Sequence, residues 1–168
     1  MTTLYANPYN IDAAGFYFEN ADEFTEKAQN LTDRYGNPVE EFEIDFIDGD
    51  DAALFNACGI NQANLSLYFD DIEPLSETEK AALCFLLSDL GYSLTDALEK
   101  IDEVSLYEGK LLDAASELFD ECYLHDIPEQ LRYYVDYAKF ARDCEISRDM
   151  IEFEYEGTTY TCTNAAGI

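Results

Sequence analysis

The sequence is poor above all in positive charge. Its 168 residues hold 9 Lys and Arg against 37 Asp and Glu, a formal net charge of −28. Nucleic acid is excluded as a direct ligand, because affinity for phosphates comes from cations that displace counterions. An anionic membrane surface is excluded on the same ground. Long apolar runs are missing too: Ala81–Leu87 falls far short of the ~20 residues that cross a bilayer. One histidine, His125, is too little for a histidine metal site or a conventional triad. The five cysteines (58, 84, 122, 144, 162) are odd in number, widely spaced and without a C-x-x-C pair. That fits a reduced compartment better than a disulfide framework. The residues Met1–Tyr5 lack a basic region followed by an apolar one, so no secretory signal is read and a cytoplasmic location is expected.

What is present points to a folded chain. Apolar residues make up 48% and aromatics 14%, more than acidic disordered tails carry, since those cannot offset the entropy of ordering. The chain therefore folds against its own repulsion. Solubility alone calls for a net charge of only about 2–8 in magnitude. The net charge is −5 over 1–40, −10 over 41–80, −7 over 81–120 and −6 over 121–168, so no tail carries the excess. The excess calls for a function.

The hydrophobic pattern predicts an α+β chain, elongated, with three small lobes: 1–51, 52–101 and 102–168. In the first, strands are expected at 3–7 and 15–19, rich in Tyr and Phe. A helix follows over 22–35, stopped by Gly36-Asn37-Pro38. Residues 41–47 alternate acid and apolar side chains, the pattern of a strand with one buried and one acidic face, and 48–51 make a turn. The second lobe reads as helical, with one helix over 60–72. Ser76 and Glu79 have capping-box spacing ahead of a helix ending at Gly91. Ser93 and Asp96 start another, to about Ile101. Leu83, Leu86, Leu87, Leu90, Leu94 and Leu98 are its expected core, with Cys84 among them. The third lobe reads as a strand at 104–107, helices at 111–123 and 129–140 (the second opened by Pro128), and a terminal hairpin from 150–156 and 158–163.

Catalytic patterns are weak. Cys122 and His125 could pair a thiolate with a base, but a helix end beside a cysteine is the simpler reading. Asp48-Gly49-Asp50-Asp51 hints at calcium, yet Ala52 and Ala53 fall where a ligand and a glycine belong. Gly109-Lys110 lacks the rest of a phosphate-binding loop. With 37 acids, a carboxylate pair for hydrolysis has no specificity as a signal. No catalytic residue, cofactor or metal ligand is assigned, and no enzymatic activity is expected.

The charge itself suggests a use. Duplex DNA presents about one charge per 1.7 Å of axis, so 28 charges match roughly 48 Å of duplex. A compact chain of this length is about 40 Å across. With three lobes in a row, its charge per length approaches that of DNA. Carboxylates on rigid elements can then stand where phosphates would in an Arg- and Lys-lined groove.

The C-terminal third sharpens this. Ile127-Pro128-Glu129-Gln130-Leu131-Arg132-Tyr133-Tyr134-Val135-Asp136-Tyr137-Ala138-Lys139-Phe140-Ala141-Arg142-Asp143 resembles the signature of the ArdA antirestriction family: a Pro, then Tyr-x-Asp-Tyr-x-x-Phe/Tyr-x-Arg-Asp. Tyr134, Asp136, Tyr137, Phe140, Arg142 and Asp143 occupy its positions. Tyr5-Ala6-Asn7-Pro8-Tyr9-Asn10 and Gly15-Phe16-Tyr17-Phe18 resemble the family's opening strand pair, though the Trp often found there is absent. Ser76–Leu87 sits where the family has an acidic helical middle. The resemblance implies an elongated DNA mimic, encoded by mobile genetic elements. It would fill the DNA groove of type I restriction–modification enzymes, contacting their modification and specificity subunits and blocking restriction and, as expected here, modification. It also implies a homodimer through the C-terminal lobe, with the signature in the dimer and antirestriction region. Arg132, Lys139, Arg142 and Arg148, four of the nine basic residues, fall in or beside that segment. Tyr and Arg are residues favoured at interface hot spots.

The phosphate stand-ins expected on this reading are Glu41, Glu43, Asp45, Asp48, Asp50, Asp51, Asp70, Asp71, Glu73, Glu77, Glu79, Asp113, Glu117 and Asp120. Two alternatives stay open. One is a mimic aimed at another nucleic-acid-binding defence protein, such as a CRISPR effector. The other is an acidic hydrolase using a carboxylate pair or Cys122.

Overall fold

A computed structural model describes residues 2–168. The fold is α+β: two small antiparallel sheets, one near each end of the sequence, with a helical stretch between them. The chain divides into two compact units, Met1–Lys80 and Ala81–Ile168. The first holds 18 acids and 3 bases (net −15), the second 19 and 6 (net −13).

In the first unit, β1 (Thr3–Pro8) lies between β2 (Phe16–Phe18) and β3 (Phe42–Asp48). Alternation assigns the faces. Leu4, Ala6, Phe18, Phe42 and Ile44 point inward and are buried, while Tyr5, Tyr17, Glu43 and Asp45 share the other face through register pairs. The alternation fails at one point. Thr3 pairs with Asp48 and Leu4 with Phe46, so Ile47 is the extra residue of a bulge and is turned out, half exposed. Helix α1 (Ala21–Asn30) covers the inner face, its Asn20 side chain capping Glu23. Phe24 of α1 packs on Phe16, Phe18 and Phe42.

The helix expected over 22–35 stops at Asn30. Asp33 accepts from the backbone N–H groups of Tyr35 and Asn37 and from the Asn37 amide, folding 31–38 into a turn closed by a Thr32–Pro38 bridge. The helix expected over 60–72 is also shorter. Asn61 and Asn64 bond locally to backbone N–H groups and make a turn. Only α3 (Leu65–Leu67) and a π-helical turn, Tyr68–Ile72, follow, beyond the short α2 (Ala52–Ala57). The Tyr68 ring is fully buried against Phe55 and Phe69.

Helix α4 (Glu77–Ser88) begins with the expected capping box: Glu79 accepts from the Ser76 backbone, and Ser76 Oγ from the Glu79 backbone. The unit boundary falls inside it, after Lys80. Beyond its end Gly91 takes the left-handed conformation, φ +74°, which glycine adopts without a Cβ penalty. Leu83 and Leu86 are buried as expected. Leu87, Leu90, Leu94 and Leu98 are only half-buried, and in α5 (Leu94–Lys100, capped by Ser93) Ala97 is the buried residue.

In the second unit the sheet order is β4 (Leu106–Glu108), β6 (Thr158–Cys162), β5 (Ile151–Tyr155). The terminal hairpin is as expected, with Glu156 and Gly157 both at positive φ in a two-residue loop. Phe85, Cys162 and Ala165 form a core with Phe153 stacked on Phe85 at 4.9 Å. Helix α6 (Leu111–Cys122) runs as read. The single helix expected over 129–140 is instead two: α7 (Glu129–Arg132) and α8 (Tyr137–Ser147). Asp136 breaks the run by capping α8 through Lys139 N–H. Leu111 and Ala115 of α6, Ala141 and Cys144 of α8, and Met150 form the core between them.

Candidate acidic surface

In the first unit, β3 places Glu43 and Asp45 on the outer sheet face, about 7 Å apart as alternate strand residues are. Glu41, Asp48 and Asp50 are exposed beside them. Gln62 guards the start of this edge strand, accepting from Phe42 N–H and donating to the Glu40 carbonyl. Asp70 and Asp71 are turned outward by the π turn because its Tyr68 and Ile72 are turned in. Glu73 is half-buried just after it, and Glu77 and Glu79 occupy the first turn of α4. Ser76 bonds hold the Glu79 carboxyl below the usual carboxylate range.

Asp51 differs from the others. It is 5% exposed, and Lys80 Nζ lies 2.8 Å from its Oδ2 with the lysine equally enclosed. A carboxylate so placed faces its own cation and not a partner, so Asp51 leaves the set of phosphate stand-ins. Nothing in the local sequence signals this, because the two residues are 29 apart.

In the second unit, Asp113, Glu117 and Asp120 are exposed along one side of α6, at i, i+4 and i+7, while Leu111, Ala114 and Ala115 face the core. The row spans about 10 Å of helix axis, one carboxylate per ~5 Å against one phosphate per 3.4 Å on a DNA strand. Two tyrosines steady it. Tyr137 donates to Asp120 at 2.5 Å, and that bond pushes its phenol up. Burial, with the Glu117 and Asp113 carboxylates close by, pushes Tyr107 up as well. Sequence reasoning missed Tyr107; its alternate position in a short strand before α6 was the available signal.

The signature residues separate into two groups. Asp136 caps α8, Tyr137 holds Asp120, and Phe140 packs on Phe119 and Tyr123. Tyr134, Arg142 and Asp143 face solvent, with Tyr134 against the nearly bare Tyr133. Arg142 lines an open cleft of about 700 Å³ with Leu112, Ala138 and Glu145.

Ion pairing spares the acidic rows. Lys27 is spent on Glu23, Arg34 on Asp12, Lys80 on Asp51 and Lys100 on Glu103. Among the described residues, only Asp51 and Glu77 of the fourteen expected stand-ins have a basic partner, and Glu77 lies 3.8 Å from Lys80. Cys122 and His125 are both exposed, and no hydrogen bond joins them; His125 faces Asp126 instead. Burial pushes the thiols of Cys84, Cys144 and Cys162 up. No group of three or more His, Cys, Asp or Glu side chains is placed to hold a metal among the described residues. No described helix is long and apolar enough to cross a membrane.

These surfaces define an acidic α+β protein whose carboxylates line solvent-facing strand, turn and helix positions, with four of its nine cations held in internal ion pairs. The model of the ArdA antirestriction proteins matches residues 10–158, and the chain belongs to that family. No curated protein and no solved structure matches it.

Proposed function

We propose that the chain is a non-enzymatic inhibitor that enters the DNA groove of a type I restriction–modification enzyme by offering carboxylates in place of phosphates. One observation carries this: outside Asp51 and Glu77, the nominated acids are held on strand, turn and helix positions, wholly or partly exposed to solvent, and none of them forms an ion pair among the described residues. Uncompensated surface anions are unfavourable for the free protein. They become favourable when a cationic groove neutralises them and both surfaces release their ions. A single row carries less charge per length than one DNA strand, so the contact needs several rows. No single acid should then dominate.

The test is protection of unmethylated DNA from a purified type I enzyme. Single reversals such as Glu43→Lys should weaken protection by less than about threefold. Reversal of Glu43, Asp45, Asp48, Asp70 and Asp71 together should abolish it with the fold intact by circular dichroism. Full protection by the fivefold variant contradicts the mechanism.

Self-association through α6–α8 belongs to the same proposal. Leu112, Leu131, Tyr133, Tyr134 and Ile146 are exposed there. Arg132, Lys139, Arg142 and Arg148 supply the local cations that two polyanions need to meet. Sedimentation of Tyr134→Ala at low concentration should show a shift to monomer; an unchanged mass removes this part of the reading.

A further inference from the structure

The outer face of the first sheet carries more than acids. Tyr17 pairs with Tyr5 across β1–β2, their rings 4.8 Å apart, and Tyr5 pairs in turn with Asp45 on β3. Glu43 lies on the same face opposite Asn7. Tyr17 is 58% exposed. The pair is fixed from one side by Gly15: a Cβ there would stand 2.5 Å from the Tyr5 hydroxyl and 2.4 Å from the Ala6 carbonyl. Only glycine lets the chain pass so close, and the passage sets the Gly15 backbone against the Tyr5 ring.

Resting on the DNA-mimic reading, we propose that this face is an arginine receptor: Tyr17 offers its ring to a guanidinium of a cationic partner surface while Asp45 and Glu43 accept its N–H groups. A guanidinium prefers this combination, since it stacks on aromatic faces and fills carboxylates in a fork, whereas an ammonium is a compact, strongly hydrated point charge. The partner is thus a protein surface rich in arginine, and charge complementarity selects it: no basic residue lies on this face in β1, β2 or β3. The molecule contains the same arrangement in miniature. Arg34 lies 4.9 Å over the Tyr35 ring and 2.8 Å from Asp12 Oδ1. The inference adds a discriminating point to an otherwise diffuse contact. Rows of carboxylates accept any cation; the tyrosine pair selects arginine.

The experiment uses the full chain with decaarginine and decalysine peptides as probes, followed by calorimetry and by amide chemical shifts. The wild type should favour decaarginine. Tyr17→Leu should reduce that preference by about 3–10-fold, the scale of one cation–π contact, with decalysine affinity unchanged; Tyr17→Phe should keep it. In the wild type, decaarginine should shift the amides of Tyr5, Tyr17 and Asp45 most. An unchanged preference in Tyr17→Leu, or shifts centred elsewhere, overturns the inference; the shift map decides it even if Tyr17→Leu fails to fold. A second arm asks whether the wild type displaces DNA from a type I modification enzyme. Failure there removes the functional reading and leaves the peptide result to decide this one by itself.

Discussion

Lys80→Met probes how the first unit tolerates its charge. Lys80 and Asp51 have side chains 9% and 7% exposed and meet at 2.8 Å. At an effective dielectric of about 20, the gross attraction at that distance is roughly 6 kcal/mol, most of it offset by the cost of taking both ions out of water. Removing Lys80 leaves that cost on Asp51 and strips its cation away, so the expected loss is about 3–5 kcal/mol. The parallel loss of the Glu77 contact adds little, since Glu77 is 71% exposed and 3.8 Å away. Replacing both partners (Asp51→Leu with Lys80→Met) should bring stability back to within about 2 kcal/mol of wild type. Urea unfolding at fixed salt measures all three. A loss below about 1 kcal/mol for Lys80→Met, or a double variant no more stable than the single one, would refute the reasoning.

Other perturbations address the fold piece by piece. Asp136→Ala should cost about 1 kcal/mol by uncapping α8, read as a lower urea midpoint. Tyr68 lies enclosed; burial, with the Asp51 and Glu73 carboxylates near by, pushes its phenol up to about 12, and no hydrogen bond of good geometry satisfies its hydroxyl. Tyr68→Phe should therefore be neutral or stabilising, and a loss above about 1 kcal/mol contradicts that. Asn37 and backbone N–H groups hold the Asp33 carboxyl below its usual range. A depressed folded value supports the fold above the unfolded pKa of about 3.9 and gives that support up as pH falls through the folded value. The melting temperatures of wild type and Asp33→Asn should accordingly converge on acidification from pH 5 to pH 3.

Much of the fold was legible because local chemistry and tertiary structure agree. Ser76 with Glu79, Ser93 with Asp96 and the Glu156-Gly157 loop each satisfy their own backbone groups wherever they occur. The misread boundaries share a different cause. Asp33, Asn61, Asn64 and Asp136 all use short polar side chains to hold backbone N–H groups, and a hydrophobic period read across them cannot see that competition. The acidic side of α6 follows from its spacing, because Asp113, Glu117 and Asp120 must share a face if Leu111, Ala114 and Ala115 are inside. What the sequence hides is pairing across distance: the Asp51–Lys80 contact, the bulge that turns Ile47 outward, and the Tyr5–Tyr17 pair held by Gly15.

The most direct measurement is the affinity of the full chain for a type I modification enzyme as a function of salt, alongside that of a DNA duplex carrying the enzyme's site. Exchange of carboxylates for phosphates predicts that log affinity falls linearly with log salt for both, that each displaces the other completely, and that the two slopes have the same sign and similar size. A flat salt dependence for the protein beside a steep one for DNA, or an enzyme that holds both at once, would contradict the account.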